Sequence, residues 1–139
     1  MTDAPANATP PTQDKEVADG KVLAILSYII WIVALVVLII RNNSFALYHA
    51  KQAMTLFLAW LVLFIPLMIL NVIIGVALAS VTRGVGACIM PIVMFGAGIG
   101  VLVIIILGII NAANGVCKPL PVVGPFADKI FGSLKKKTA

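Results

Sequence analysis

The densest run of polar and aromatic side chains in the chain is Phe45-Ala46-Leu47-Tyr48-His49-Ala50-Lys51-Gln52. On a helix, Phe45 and His49 share a face, as do Tyr48 and Gln52, and His49 and Gln52 stand one turn apart. His49 is the sole histidine, and no acidic residue falls between Asp19 and Asp128. A hydrolytic triad needs a base with an orienting partner, and a metal site needs several ligands. Neither set is present, so no catalytic, metal or cofactor site is expected and the chain reads as a non-enzyme. What remains for Phe45, Tyr48, His49, Lys51 and Gln52 is recognition: a patch at a membrane surface that docks a partner. The plainer alternative is an interfacial belt, with polar tips in the headgroups and Lys51 snorkelling.

The elements that must position this patch are dictated by hydropathy. Ala53 to Ile110 runs 58 residues with a single charge, Arg83. The chain is 62% hydrophobic and 11% charged, with a mean hydropathy of +1.15, where soluble domains carry nearer ~25% charge. The expected fold is an all-α integral membrane protein with three transmembrane helices, an interfacial pre-helix and a C-terminal amphipathic helix.

Along the chain, residues 1–20 read as a disordered tail rich in Pro, Ala, Thr and Asp. Residues 21–116 form the helical membrane domain, and 117–139 a Pro-containing basic tail. Span one is expected at Val22–Ile40, where 14 of 19 residues are Val, Ile or Leu. Asn43 or Ser44 can cap the next helix. A helix from Phe45 to Ala79 would measure roughly 52 Å against a ~30 Å hydrocarbon core, so Phe45–Gln52 is laid in the interface, and Pro66 kinks the span that begins near Ala53. Ser80–Gly86 forms a turn. Span three is Ala87–Ile110, with Gly96, Gly100, Gly108 and Ala112 forming a small-residue stripe for helix packing. In the tail, Phe126, Ile130, Phe131 and Leu134 share one helical face. Lys129, Lys135, Lys136 and Lys137 would hold anionic lipid headgroups rather than nucleic acid.

Three spans put Lys15, Lys21 and Arg83 on one side and the other seven basic residues on the other. The positive-inside rule then places the C-terminus in the cytoplasm and the N-terminus outside, in a cytoplasmic membrane. A hairpin within the second segment would reverse that. Cys88 and Cys117 flank span three, roughly 40 Å apart if the intervening chain is helical, too far for a disulfide.

"FALYHAKQAM", following a span that opens "KVLAILSYIIW", resembles a family of small bacterial membrane proteins. That family is related to the twenty-kilodalton subunit of the chloroplast inner-envelope translocon and to the magnetosome proteins MamF and MmsF. The ending "NAANGVCKPLPVVGPFADKIF" is similar too, so the resemblance covers about Lys21 to Phe131. It implies a helical membrane protein of translocation or membrane-organelle assembly. Mineral control is not carried over, because Asp128 is the sole acid after the first span. The expected function is a scaffold or accessory subunit that binds the bilayer and another membrane protein or itself. The alternative is a small oligomeric pore or carrier, and a third possibility is a membrane-bending protein driven by the tail helix.

Overall fold

The structure, a computed structural model, describes residues 11–82 and 88–137. Five helices run in order: α1 (Pro11–Ile29), α2 (Trp31–Ile40), α3 (Ser44–Thr82), α4 (Ile89–Ala113) and α5 (Val123–Phe131). There is no strand among the described residues.

α1 starts where Pro suits the first turn of a helix, since its missing N–H would have no partner there, and Asp14 complements the positive end of the helix. The expected disordered tail is therefore wrong from Pro11 onward; residues 1–10 lie outside the described residues. Glu16 explains why this polar stretch is ordered. Its carbonyl accepts from Asn43 Nδ2 at 2.8 Å, and its carboxylate meets Ser44 Oγ and pairs with Lys136. Beside it, Val17 packs with Ala24, Phe45 and Ala112.

The expected first span does not form as one helix. Ile30 is extended (φ −125°, ψ 103°) and separates α1 from α2. Residues 29–33 are all β-branched or aromatic, which lowers the cost of leaving the helix. The neighbouring rings are seated on different partners: Tyr28 reaches His49, and Trp31 stacks on Phe57 at 5.0 Å. The chain then returns. Gly20, ten residues before the break, lies so close to Asn43 that a Cβ would overlap its side chain. α1 and α2 thus form a hairpin whose two ends lie together. From Gly20 to the break and along α2, each leg is about 15 Å long.

Arg41 closes α2 in the left-handed conformation (φ 52°), its N–H bonded to Val37 O at 2.9 Å. Asn43 Oδ1 then accepts the Ala46 N–H at 2.9 Å, the cap expected from the sequence. α3 has no separate interfacial pre-helix: it runs 39 residues without interruption, through Pro66. Ser80–Thr82 remain helical, and the rest of the expected turn lies outside the described residues.

Among the described residues two helices, not three, are long and apolar enough to cross a membrane: Ser44–Val81 and Ile89–Ala113. The most apolar stretch of the first contains no buried residue. The core sits at one end of the molecule. Among the described residues, the buried positions of α3 lie between Phe45 and Leu56, and those of α4 are Gly108 and Ala112. Beyond that end, α3 and α4 stand nearly bare.

The connection from α4 to α5 folds back onto α3. Gly115 adopts φ +70°, and Val122 adopts φ 67° in a tight turn closed by Val123 N–H to Pro121 O at 2.7 Å. A β-branched residue in that region is strained. The turn lets Leu120 and Val123, on either side of it, both enter the core. After α5, Lys137 N–H bonds to Arg41 O at 2.8 Å, so the tail ends beside the α2–α3 turn. The face expected to hold Phe126, Ile130, Phe131 and Leu134 together is split: Phe131 and Leu134 pack on the core, whereas Phe126 and Ile130 point outward.

The fold-back predicts which labels share a side. Cys88 and Cys117 are exposed and stand at opposite ends of α4. In native vesicles, an impermeant maleimide should reach Lys15→Cys from the side that reaches Cys117, and Cys88 from the other. Labelling is best run under alkaline conditions, because burial pushes the Cys117 thiol pKa up and delays the thiolate. Modification of Lys15→Cys together with Cys88 would restore the three-span arrangement.

Candidate functional site

Of the five residues expected on a docking surface, three are in the core. Phe45, His49 and Gln52 are 3%, 0% and 2% exposed. Tyr48 and Lys51 are half-buried at its edge, with Asp128 near enough to Lys51 to interact electrostatically. The sequence reading of an open patch is corrected for the buried three: the hairpin folds over the very face that carries Phe45 and His49, and α4 closes it from the side.

What these residues build is a sealed polar cluster around Tyr28. The Tyr28 hydroxyl lies 3.2 Å from His49 Nδ1 and 3.5 Å from Gln52 Oε1. Gln52 Oε1 also accepts the Leu120 N–H at 3.3 Å. A hydroxyl has one proton, so the cluster fixes a direction. With His49 protonated on Nδ1, that N–H donates to Tyr28, and Tyr28 donates to Gln52. That arrangement satisfies Nδ1; Nε2 is buried and makes no hydrogen bond of ordinary geometry, with the Val116 backbone close enough to interact with the ring. Three rings enclose the imidazole edge-on: Tyr28, Phe45 and Tyr48, at 5.9, 4.8 and 5.4 Å between centroids. A polar chain of this kind ties four separate segments (α1, α3, the α4–α5 connection and, through packing, α4) by bonds that lose their partners if any one leaves.

The α4 side of the lock is Gly108. A Cβ at that position would stand 2.5 Å from the Tyr28 ring. Gly108 and Ala112 are therefore the working half of the small-residue stripe, and they receive α1 of the same chain. Gly96 and Gly100 meet nothing within 4 Å and stay exposed. Gly124 is a second close approach, where a Cβ would lie 2.6 Å from Pro119 Cβ.

The four lysines expected to meet lipid are exposed, and Lys136 is engaged by Glu16. Sequence reasoning missed Tyr28 and Glu16 as organisers, and with Glu16 the second bond of Asn43. The available signal was Ser27-Tyr28, a polar pair in the middle of an otherwise apolar run. No group of three or more His, Cys, Asp or Glu side chains is gathered among the described residues. A cavity of about 280 Å³ borders the cluster, between Tyr28, Trp31, Phe57 and Val101; an apolar groove of about 410 Å³ between α3 and α4 is lined by none of the cluster's residues.

A helical chain with this arrangement is matched over residues 19–127 by the MamF/MmsF model, described as the magnetosome magnetite crystal formation protein family. The match takes in the hairpin, the cluster, both long helices and most of α5. The chain belongs to that family. No match was found among curated proteins or solved structures, and the expected kinship with the chloroplast translocon subunit is not shown.

Two substitutions separate the halves of the stripe. Gly108→Val should lower stability by about 1–3 kcal/mol through overpacking against Tyr28, whereas Gly100→Val should leave the detergent-solubilised monomer's melting temperature unchanged. Tyr28→Phe should cost ~1–3 kcal/mol, since it strands His49 Nδ1 in the core. Thermal unfolding of the three variants checks all of this; equal shifts at both glycines would contradict the assignment.

Proposed function

We propose that the chain is a non-enzymatic scaffold or accessory subunit of the magnetosome membrane, acting on the bilayer and on neighbouring membrane proteins. The carrying observation is the one-ended construction of the molecule. The hairpin, the cluster, α5 and the tail are gathered at one end, while α3 and α4 extend from it as two apolar rods.

In this reading α3 and α4 cross the bilayer and the gathered end faces the cytoplasm. Of the ten basic residues, nine belong to the gathered end: Lys15, Lys21, Arg41, Lys51, Lys118, Lys129, Lys135, Lys136 and Lys137. Arg83, between α3 and α4 in sequence, is the exception. A bias of nine to one is stronger than the seven to three of a three-span arrangement, and it brings the N-terminus to the cytoplasmic side with the C-terminus. The family's description concerns crystal formation. Here a contribution to it would pass through the membrane and its proteins, because the exposed groups of the described residues are mainly apolar side chains and lysines, and no three of their acidic side chains are gathered with one another.

Photocrosslinkers tested at Phe126, Ile130, Tyr48 and Lys51 should recover a recurring membrane-protein partner from native membranes. Products with lipid and with other copies alone would overturn the scaffold reading. A small oligomeric pore or carrier has one observation in its favour, the bare Gly96, Gly98 and Gly100 beside the α3–α4 groove. It requires that Gly100→Leu abolish both oligomer and flux in reconstituted vesicles. The scaffold reading expects no flux from either protein.

A further inference from the structure

The two ends of the molecule differ in width, and the difference comes from the hairpin. Legs of about 15 Å cannot cross a ~30 Å hydrocarbon core, and both return to the same end. Their outward side chains are nonetheless apolar: Val22, Leu23, Trp31, Ile32, Leu35, Val36, Ile39 and Ile40 are 36% to 64% exposed. Such a surface needs acyl chains, and only those of the near leaflet are within reach. At that level the hairpin stands beside α3 and the end of α4, with α5 packed against α3 and Val123, Phe131 and, after α5, Leu134 joined to the core. In the far leaflet, among the described residues, only α3 and α4 remain.

We propose that the chain is a wedge, its α1–α2 hairpin inserted into the leaflet on the tail side, and that it generates or selects membrane convex toward that side. The inference rests on the reading that α3 and α4 cross the bilayer. Lipid packing supplies the mechanism. An inclusion that is broad in one leaflet and narrow in the other spreads the near leaflet, and a convex surface relieves that mismatch. The occupant of the exposed hairpin face is therefore lipid. A second copy on that face would need another chain to approach at half-membrane depth, whereas the bare glycines lie on α4, toward the narrow end.

The full chain supplies its own reporters. It is reconstituted into neutral phosphatidylcholine vesicles of graded diameter, which removes headgroup attraction to the lysines. Orientation is then read with an impermeant maleimide at Cys88 and Cys117. A wedge places its broad end in the outer leaflet of small vesicles, so the ratio of Cys117-out to Cys88-out chains should rise as diameter falls. A rise of at least about twofold is expected, a bias of ~0.4 kcal/mol. A ratio that is flat or falls as the vesicles shrink would overturn the proposal. Leu35→Glu/Ile39→Glu, placed on the exposed face of α2, should abolish the size dependence; if it persists unchanged, the hairpin is not its source. If the double variant does not insert, the size series of the unaltered chain still decides. Labelling of both cysteines from one side would instead defeat the crossing of α3 and α4, a separate failure.

Discussion

Everything distinctive about this structure depends on Tyr28 being held where it is. Its ring lies against Gly108, and its hydroxyl sits between His49 and Gln52. That seat keeps α1 against α3 and α4 at the point where the chain leaves the helix at Ile30. Without it, Val22–Ile40 has the length and apolarity of an ordinary span, and an apolar helix of that length is stable across a bilayer. The polar cluster makes the folded-back arrangement specific. It is held because the Tyr28 hydroxyl, His49 Nδ1 and Gln52 Oε1 find partners in one another within an apolar setting.

The polar end of the hairpin is secured by a second device. Asn43 caps α3 with one side-chain atom and holds the Glu16 carbonyl with the other, while the Glu16 carboxylate reaches Ser44 and Lys136. The first described helix, the α2–α3 turn and the C-terminal tail therefore meet at one point. Exposed ion pairs contribute little on their own, about 0–1 kcal/mol. Here the amide of Asn43 supplies the geometry, and the charges decide which segments are brought together.

Much of this was legible in the sequence. Helices throughout, the bounds of α4 to within three residues, the Asn43 cap and the tight packing at Gly108 and Ala112 all come from hydropathy, capping chemistry and small-residue spacing. The hairpin did not, because hydropathy averages over a window and one extended residue leaves that average unchanged. Ser27-Tyr28 was the visible mark, but a lone Tyr in a span is compatible with either path. Phe45, His49 and Gln52 were misread as exposed for a related reason. Periodicity correctly put Phe45 and His49 on one face, but which face is covered depends on the path of the preceding segment. The ordered start of α1 was hidden because its partners, Asn43 and Lys136, are distant in sequence.

The central claim is that the first apolar segment returns to the side from which it starts. Paired spin labels at Lys15→Cys and Lys135→Cys, with both native cysteines replaced by serine and the chain in bilayers, measure this most directly. The fold-back predicts a separation well below the ~30 Å hydrocarbon thickness, since Glu16 and Lys136 are paired. A distance at or beyond that thickness would mean that the segment crosses the membrane, and the hairpin, the nine-to-one charge bias and the wedge would fall together.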